Sequence, residues 1–156
     1  MNIRLSKFNK PLLYKNKFKF YIWYLINSFF INTFIPFSSL KIILLKIFGA
    51  KIEKGVIINS KINVKYPWNL NIGYDCWLGN EVWLDNTEMV TIGNDCCISQ
   101  GTYIVTGNHN FKKESFDYYG KEVNIGAHSW IGAKSIICPG ANIKVGSFIK
   151  VGSIVK

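Results

Sequence analysis

A period of six dominates this chain. From residue 52 an aliphatic side chain recurs at every sixth position: Ile52, Ile58 and Val64, then Ile72, Leu78 and Leu84, then Ile92, Ile98 and Ile104. After one interruption the beat resumes as Ile125, Ile131, Ile137, Ile143, Ile149 and Val155. All of these are Ile, Leu or Val, residues that make up only about a quarter of the chain. Four positions after many of them stands a small side chain, as at Cys76, Cys96, Thr102, Ser129, Ser135, Ala141, Ser147 and Ser153. An amphipathic helix repeats at 3.6 and a strand alternates at two, so neither accounts for the beat. A coil with three short sides does. Each hexapeptide supplies a few extended residues and a corner, with the aliphatic side chain inward and the small one where two sides converge. Successive turns of such a coil stack as parallel strands roughly 4.8 Å apart. Ile52, Ile72 and Ile92 are spaced by 20 residues, one 18-residue turn plus a two-residue bulge. The pattern predicts an all-β solenoid, a parallel β-helix of about five coils over residues 51–156, preceded by an α-helical segment over 1–50.

The 156 residues suffice for one domain, and 49% hydrophobic with 18% charged residues excludes a disordered chain. The net charge of +10 is unevenly placed: residues 1–50 hold eight Lys/Arg and no acid, and the remainder holds eleven against nine. A nucleic-acid binder would carry its basic excess on the folded body, so no nucleic-acid partner is expected. A basic, apolar N-terminus points to association with an anionic membrane surface. Its apolar run from Phe20 to Phe37 follows Lys15, Lys17 and Lys19, is ended by Pro36, and is broken by Asn27, Ser28, Asn32 and Thr33. It reads as an interfacial or packed helix before a membrane span, with no convincing secretory signal. Ser38 or Ser39 would cap a second helix with Leu40, Ile43, Leu44 and Ile47 on one face and Gly49 closing it. The four cysteines, Cys76, Cys96, Cys97 and Cys138, lack metal-site spacing and read as small core residues in a reduced compartment.

The beat fails once. Twenty residues separate Ile104 from Ile125 where five would continue it, so a loop at about 106–124 leaves the column. A loop ejected from a rigid scaffold is a natural place for function. His109, one of two histidines in the chain, stands at its exit. The other, His128, falls at an outward position on a coil side and reads as a surface residue.

The chain resembles the hexapeptide-repeat acyltransferases, and within them the colanic-acid-biosynthesis type of acetyltransferase. The likeness rests on Gly49-Ala50-Lys51-Ile52, Lys65-Tyr66-Pro67-Trp68, Glu81-Val82-Trp83-Leu84-Asp85-Asn86, Cys97-Ile98-Ser99-Gln100-Gly101, Thr106-Gly107-Asn108-His109 and Trp130-Ile131-Gly132-Ala133. The resemblance implies a left-handed coil, although crossover connections are generally right-handed. It implies an O-acetyltransferase that uses acetyl-CoA as co-substrate, on a sugar of a bacterial surface polysaccharide or its precursor. It implies a homotrimer with sites between subunits, which the basic, apolar N-terminus would hold in the cytoplasm, peripheral on the inner face of the plasma membrane. His109 would be the general base, since an imidazole with an ordinary pKa of about 6.5 suits removal of a hydroxyl proton. The backbone N–H of Ala133 would hold the oxyanion. Asp85, Asn86 and Trp83 would meet the glycan acceptor, and Trp130, Gly132, Ala133, Lys150 and Val151 would line the cofactor groove, with Lys144 as a further cation for phosphate. What orients His109 is left open, with Asn108 and Asp117 merely nearby in sequence. Two departures put cofactor binding in question: Ile149-Lys150-Val151-Gly152 stands where the family has Ile-Gly-Ala-Gly, and relatives continue past the position of Lys156. N-acylation of an amino sugar and a catalytically silent scaffold are the alternatives. No metal is expected, because a zinc site of the carbonic-anhydrase kind takes three histidines.

Overall fold

A computed structural model describes residues 3–8 and 17–156. The predicted run of basic residues before the first helix falls partly outside them, at Lys15. The rest of the chain from Lys51 winds into a three-sided parallel column. Its first face stacks strands Lys51–Ile52, Leu70–Ile72, Val90–Ile92, Val123–Ile125 and Asn142–Ile143. The second face stacks Ile57–Ile58, Trp77–Leu78, Cys97–Ile98, Trp130–Ile131 and Phe148–Ile149. The third stacks Asn63–Val64, Trp83–Asp85, Tyr103–Val105, Ile136–Ile137 and Ile154–Val155.

The register puts the periodic residues into three inward columns of five. Ile52, Ile72, Ile92, Ile125 and Ile143 pair in sequence, as do Ile58, Leu78, Ile98, Ile131 and Ile149. Val64, Leu84, Ile104, Ile137 and Val155 form the third. All are buried except Ile149 and Val155 of the last coil, which are partly covered. Cys76 lies under Cys96, as the Trp77–Cys97 register requires, and both thiols are free and buried. A hydrogen bond with Cys96, and then burial, push the Cys76 thiol up.

Successive coils satisfy one another's backbone groups, so the first coil presents an edge that needs a cover. The N-terminal helices supply it. Helix α1 (Lys17–Ile26) runs into a wide turn at Asn27–Ile31, and α2 (Ser38–Ile47) follows. The Trp23 indole N–H donates to the Val64 carbonyl, and Val64 N–H donates to the Asn27 side-chain oxygen. Lys61 N–H donates to the Thr33 carbonyl, and Ile58 N–H to the Ser38 hydroxyl. The buried Lys41 ammonium donates to the Asn59 carbonyl. Gly49, at φ +106°, closes α2 as expected, with Ala50 N–H reaching back to the Leu45 carbonyl.

Two expectations for α2 are corrected. Neither serine caps the helix, because Phe37 holds the cap position and the Ser38 hydroxyl is spent on the coil edge. The buried face is Lys41 and Leu45, while Ile43 and Ile47 point outward. Lys41, whose ammonium donates to the Asn59 carbonyl, takes the place on the buried face where the apolar stripe was expected.

Candidate functional site

Extra residues gather at one corner of the column. Between the third and first faces, the first coil carries a short helical turn at Pro67–Asn69 and the second a bulge at 86–89. From the third coil, the expected loop emerges here as an antiparallel ribbon. Strand Gly107–His109 pairs with Tyr118–Gly120, and His109 stands directly opposite Tyr118.

Irregular backbone needs partners, and side chains supply them. Asn86 accepts from Tyr66 N–H at 3.0 Å and donates to the carbonyls of Tyr66 at 2.6 Å and Asn69 at 3.1 Å. The Asn69 amide donates in return to the Asn86 and Thr87 carbonyls. Thr87 and Thr106 share a hydroxyl contact of 3.1 Å, and the Tyr118 hydroxyl donates to Thr87. The base of the ribbon is therefore bolted to the bulge beneath it.

At the ribbon's end the His109 Nδ1 lies 2.9 Å from the Phe116 carbonyl oxygen. A carbonyl only accepts, so Nδ1 carries a proton, and in the neutral ring the lone pair lies on Nε2. Phe116 holds that carbonyl from a left-handed backbone at φ +50°. Its ring lies parallel to the imidazole at 4.4 Å, Tyr118 approaches edge-on at 5.6 Å, and Phe8 at 5.3 Å. The open question of what orients His109 is answered by Phe116. Asp117 instead pairs with Lys113 at 3.0 Å, which holds its carboxyl below the usual range, and the Asn108 side chain accepts from the His109 backbone N–H.

The expectation that Asn86 meets substrate is corrected: it is fully buried, and both ends of its amide are engaged in bracing the corner. Asp85 sits apart on the third face. Its Oδ1 is 2.9 Å from Lys65 Nζ, yet misaligned, so that this buried oxygen accepts no hydrogen bond. Its Oδ2 accepts from the Tyr103 hydroxyl at 3.2 Å, and burial together with the Asp85 charge pushes that phenol up to about 12. Trp83 tilts against Tyr103 at 5.0 Å. With Lys65 and residues of the N-terminal helices, Trp83 lines a cavity of about 290 Å³.

The five residues expected to line a cofactor groove do come together, at a different corner. Trp130, Gly132, Ala133, Lys150 and Val151 border an open groove of about 630 Å³ along the second face. Trp77 and Phe148 extend its aromatic wall, and the Trp130 indole N–H donates to the Ser99 hydroxyl at 2.9 Å. The aromatic residue just before Leu78, Ile131 and Ile149 was the available sequence signal for that wall. Among the described residues no hydrogen bond engages the Ala133 N–H, while its carbonyl accepts from Gly152. Gly132 permits close stacking, since a Cβ there would lie 2.5 Å from the Val151 nitrogen. The groove suits a slender amphipathic ligand, with apolar rings along its length and the Lys150 ammonium at its border. Lys144 does not line it. His128 is exposed, 3.5 Å from Asp95.

Column and groove together define a left-handed β-helix built from hexapeptide repeats. The chain is 36% identical over 97 residues to the colanic acid biosynthesis acetyltransferase WcaF of Escherichia coli (strain K12). It is 31% identical over 101 residues to nodulation protein L of Rhizobium leguminosarum bv. viciae. These matches cover 62% and 63% of this chain, and in both cases it spans 53% of the relative. No protein-family model matches. Among solved structures, the hexapeptide-repeat acetyltransferase VCA0836 of Vibrio cholerae superposes with a TM-score of 0.80 at 16% identity, covering 96% of this chain and 84% of that one. A maltose O-acetyltransferase of Clostridium difficile 630 gives 0.77 at 24% identity, covering 95% and 79%.

Proposed function

We propose that the chain is an acetyl-CoA-dependent O-acetyltransferase that modifies a sugar hydroxyl of a surface polysaccharide or its precursor. The observation that carries this is the His109 imidazole, fixed through Nδ1 with Nε2 free to take a proton. The relatives' names support the activity, as does a solved structure of VCA0836 in complex with acetyl-CoA, at a TM-score of 0.78.

In the proposed reaction the acceptor hydroxyl oxygen attacks the thioester carbonyl carbon as Nε2 removes its proton. Negative charge gathers on the thioester oxygen, where the unengaged Ala133 N–H is suited to receive it. The C–S bond then breaks, and the departing thiolate takes the proton back from His109. Trp83, which lines the cavity beside the N-terminal helices, and the partly exposed Asp85 next to it remain the groups proposed for the sugar.

His109 and the Ala133 groove stand at different corners of one column, so one chain alone does not line a site with both. The outward residues favour joining them between copies. On the first face they are Lys51, Asn71, Thr91, Asn124 and Asn142, all polar. On the second they are Ile57, Trp77, Cys97, Trp130 and Phe148, and on the third Trp83, Tyr103, Ile136 and Ile154 follow Asn63. Two apolar faces meeting head to tail close a ring of three prisms and leave the polar face outside. A homotrimer with inter-subunit sites fits that chemistry. The N-terminal helices add exposed Phe18, Tyr21, Tyr24 and Leu25 to a segment without acidic residues, which suits peripheral contact with an anionic membrane surface. No helix among the described residues is long and apolar enough to cross a membrane.

The test is thiol release from acetyl-CoA on addition of a panel of glycans, with oligomeric state measured in parallel. Acceptor-dependent release that is lost in His109→Ala, with an unchanged circular dichroism spectrum, is expected. Acetyl-CoA binding without transfer to any acceptor would favour a silent scaffold, and transfer confined to amino sugars would favour N-acylation.

A further inference from the structure

Residues 3–8 make contacts that the proposed reaction does not use. Glu114, at the tip of the ribbon, receives both cations of this arm on one carboxylate. Arg4 Nε lies 2.6 Å from its Oε1 and Lys7 Nζ 2.7 Å from its Oε2. The Arg4 backbone N–H donates to the Glu114 carbonyl at 2.9 Å. A short helical turn over Leu5–Lys7 then delivers the Phe8 ring to 5.3 Å from the His109 imidazole. The contact joins residues about a hundred positions apart, and it ends on the one histidine of the ribbon.

We infer that this arm is a working part of the transfer site, with Glu114 as its latch and Phe8 as a positioning residue for His109. The inference rests on the reading of His109 as the base. Phe116 fixes one edge and one flat side of the imidazole, and Tyr118 meets it edge-on. Among the described residues, Phe8 is the ring contact in this box that does not come from the ribbon. Phe8 sets a further ring against the imidazole from outside the ribbon, and without it that contact is lost. The latch is not a device for global stability, because exposed ion pairs of this kind add little to it. What it supplies is an address, bringing a distant aromatic ring to the base through a contact that salt can loosen.

The experiment uses the full chain and two readouts. The first is the ring-proton and ring-nitrogen NMR signals of the two histidines, assigned with His128→Gln. Phe8→Ala is expected to move the His109 ring signals and leave those of His128 in place. Glu114→Gln is expected to move them in the same direction by less. Wild type in 1 M NaCl, where the Debye length falls to about 3 Å, should follow Glu114→Gln. The second readout is kinetic. Phe8→Ala should lower kcat about 10- to 100-fold, the scale of a misplaced catalytic group, with the KM for acetyl-CoA unchanged and Phe8→Tyr restoring the rate. The triple variant Arg4→Glu, Lys7→Glu, Glu114→Lys re-forms the latch with reversed charge and should recover what Glu114→Gln loses. His109 signals indifferent to Phe8→Ala, or an unchanged kcat, would overturn the inference. Turnover that survives His109→Ala would instead sink the base assignment, while the NMR shifts still report whether the arm touches the ring.

Discussion

Two corners of the same column are built on opposite principles. Between the second and third faces, every coil closes in six residues, from Ile58 to Val64 through Ile149 to Val155. Regular inter-coil backbone bonds dominate there, as from Gly79 N–H to the Ile98 carbonyl and from Gly132 N–H to that of Ile149, with side chains such as Asn59, Thr102 and Ser135 adding to them. Between the third and first faces, two coils insert two residues and one inserts the ribbon, and side chains of Asn69, Asn86, Thr87 and Thr106 tie them together. The regular corner yields a straight groove with a bare N–H and almost no freedom to vary. The irregular corner yields an imidazole that no hexapeptide could present. Periodicity makes the groove, and its interruption makes the ribbon that carries His109.

The largest expected effect separates the two corners by what each is asked to do. His109→Ala should lower turnover roughly 10²–10⁴-fold, with acetyl-CoA affinity unchanged by calorimetry. A parallel loss of affinity would show that the histidine corner also holds the donor. The next effect tests whether the irregular corner is held by side chains. Asn86→Ala removes three hydrogen bonds to the Tyr66 and Asn69 backbone, at about 1–3 kcal/mol for each buried group left unsatisfied. A fall in Tm of roughly 5–10 °C is expected for a chain of this size, with faster proteolysis of the ribbon. An unchanged Tm would mean that Asn86 is not the brace. Gly132→Ala addresses the regular corner. Its Cβ would press on the backbone of the next coil, 2.5 Å from the Val151 nitrogen. Acetyl-CoA affinity should drop about tenfold, within the 1–3 kcal/mol typical of overpacking, while the His109 ring signals stay in place.

The regular corner was legible because its determinants are side chains repeated in register. Fifteen aliphatic positions specify the three columns, and Trp130, Gly132, Ala133, Lys150 and Val151 fall together once the coils are stacked. The irregular corner was legible only in outline. The length of the interruption announced an excursion at His109, but nothing in the residue pattern distinguished a ribbon from a loop. Asn86 looked like a ligand because Asp-Asn is a polar pair at a bulge. The counter-signal was its distance of 20 from Tyr66, one full coil, which stacks the amide on that backbone. The partner of His109 was invisible because it is the Phe116 carbonyl, and a backbone oxygen leaves no mark in a sequence. The Phe8 contact was hidden for a different reason: two chain-distant residues meet only when both the arm and the ribbon have folded.

The smallest expected effect lies where the regular corner begins, under the helical cap. Lys41 is fully buried and donates to the Asn59 carbonyl of the first coil, and burial pushes its ammonium below the ordinary lysine range. Lys41→Met keeps the length of the side chain and removes the charge. It forfeits one hydrogen bond but also relieves the desolvation of a cation, and such exchanges are often neutral or stabilising. A change within about 1 kcal/mol near neutral pH follows from the two opposing terms. The pH dependence carries the sharper sign. Between the lowered folded pKa and the unfolded value of about 10.4, the unfolded chain binds the extra proton. The wild type therefore gains stability relative to Lys41→Met as pH rises through that window, and carries the full desolvation penalty below it. Denaturant unfolding of both proteins from pH 7 to 10 measures the difference directly. A gap that stays constant would mean that water reaches the Lys41 ammonium and that the cap over the first coil is looser than its hydrogen bonds imply.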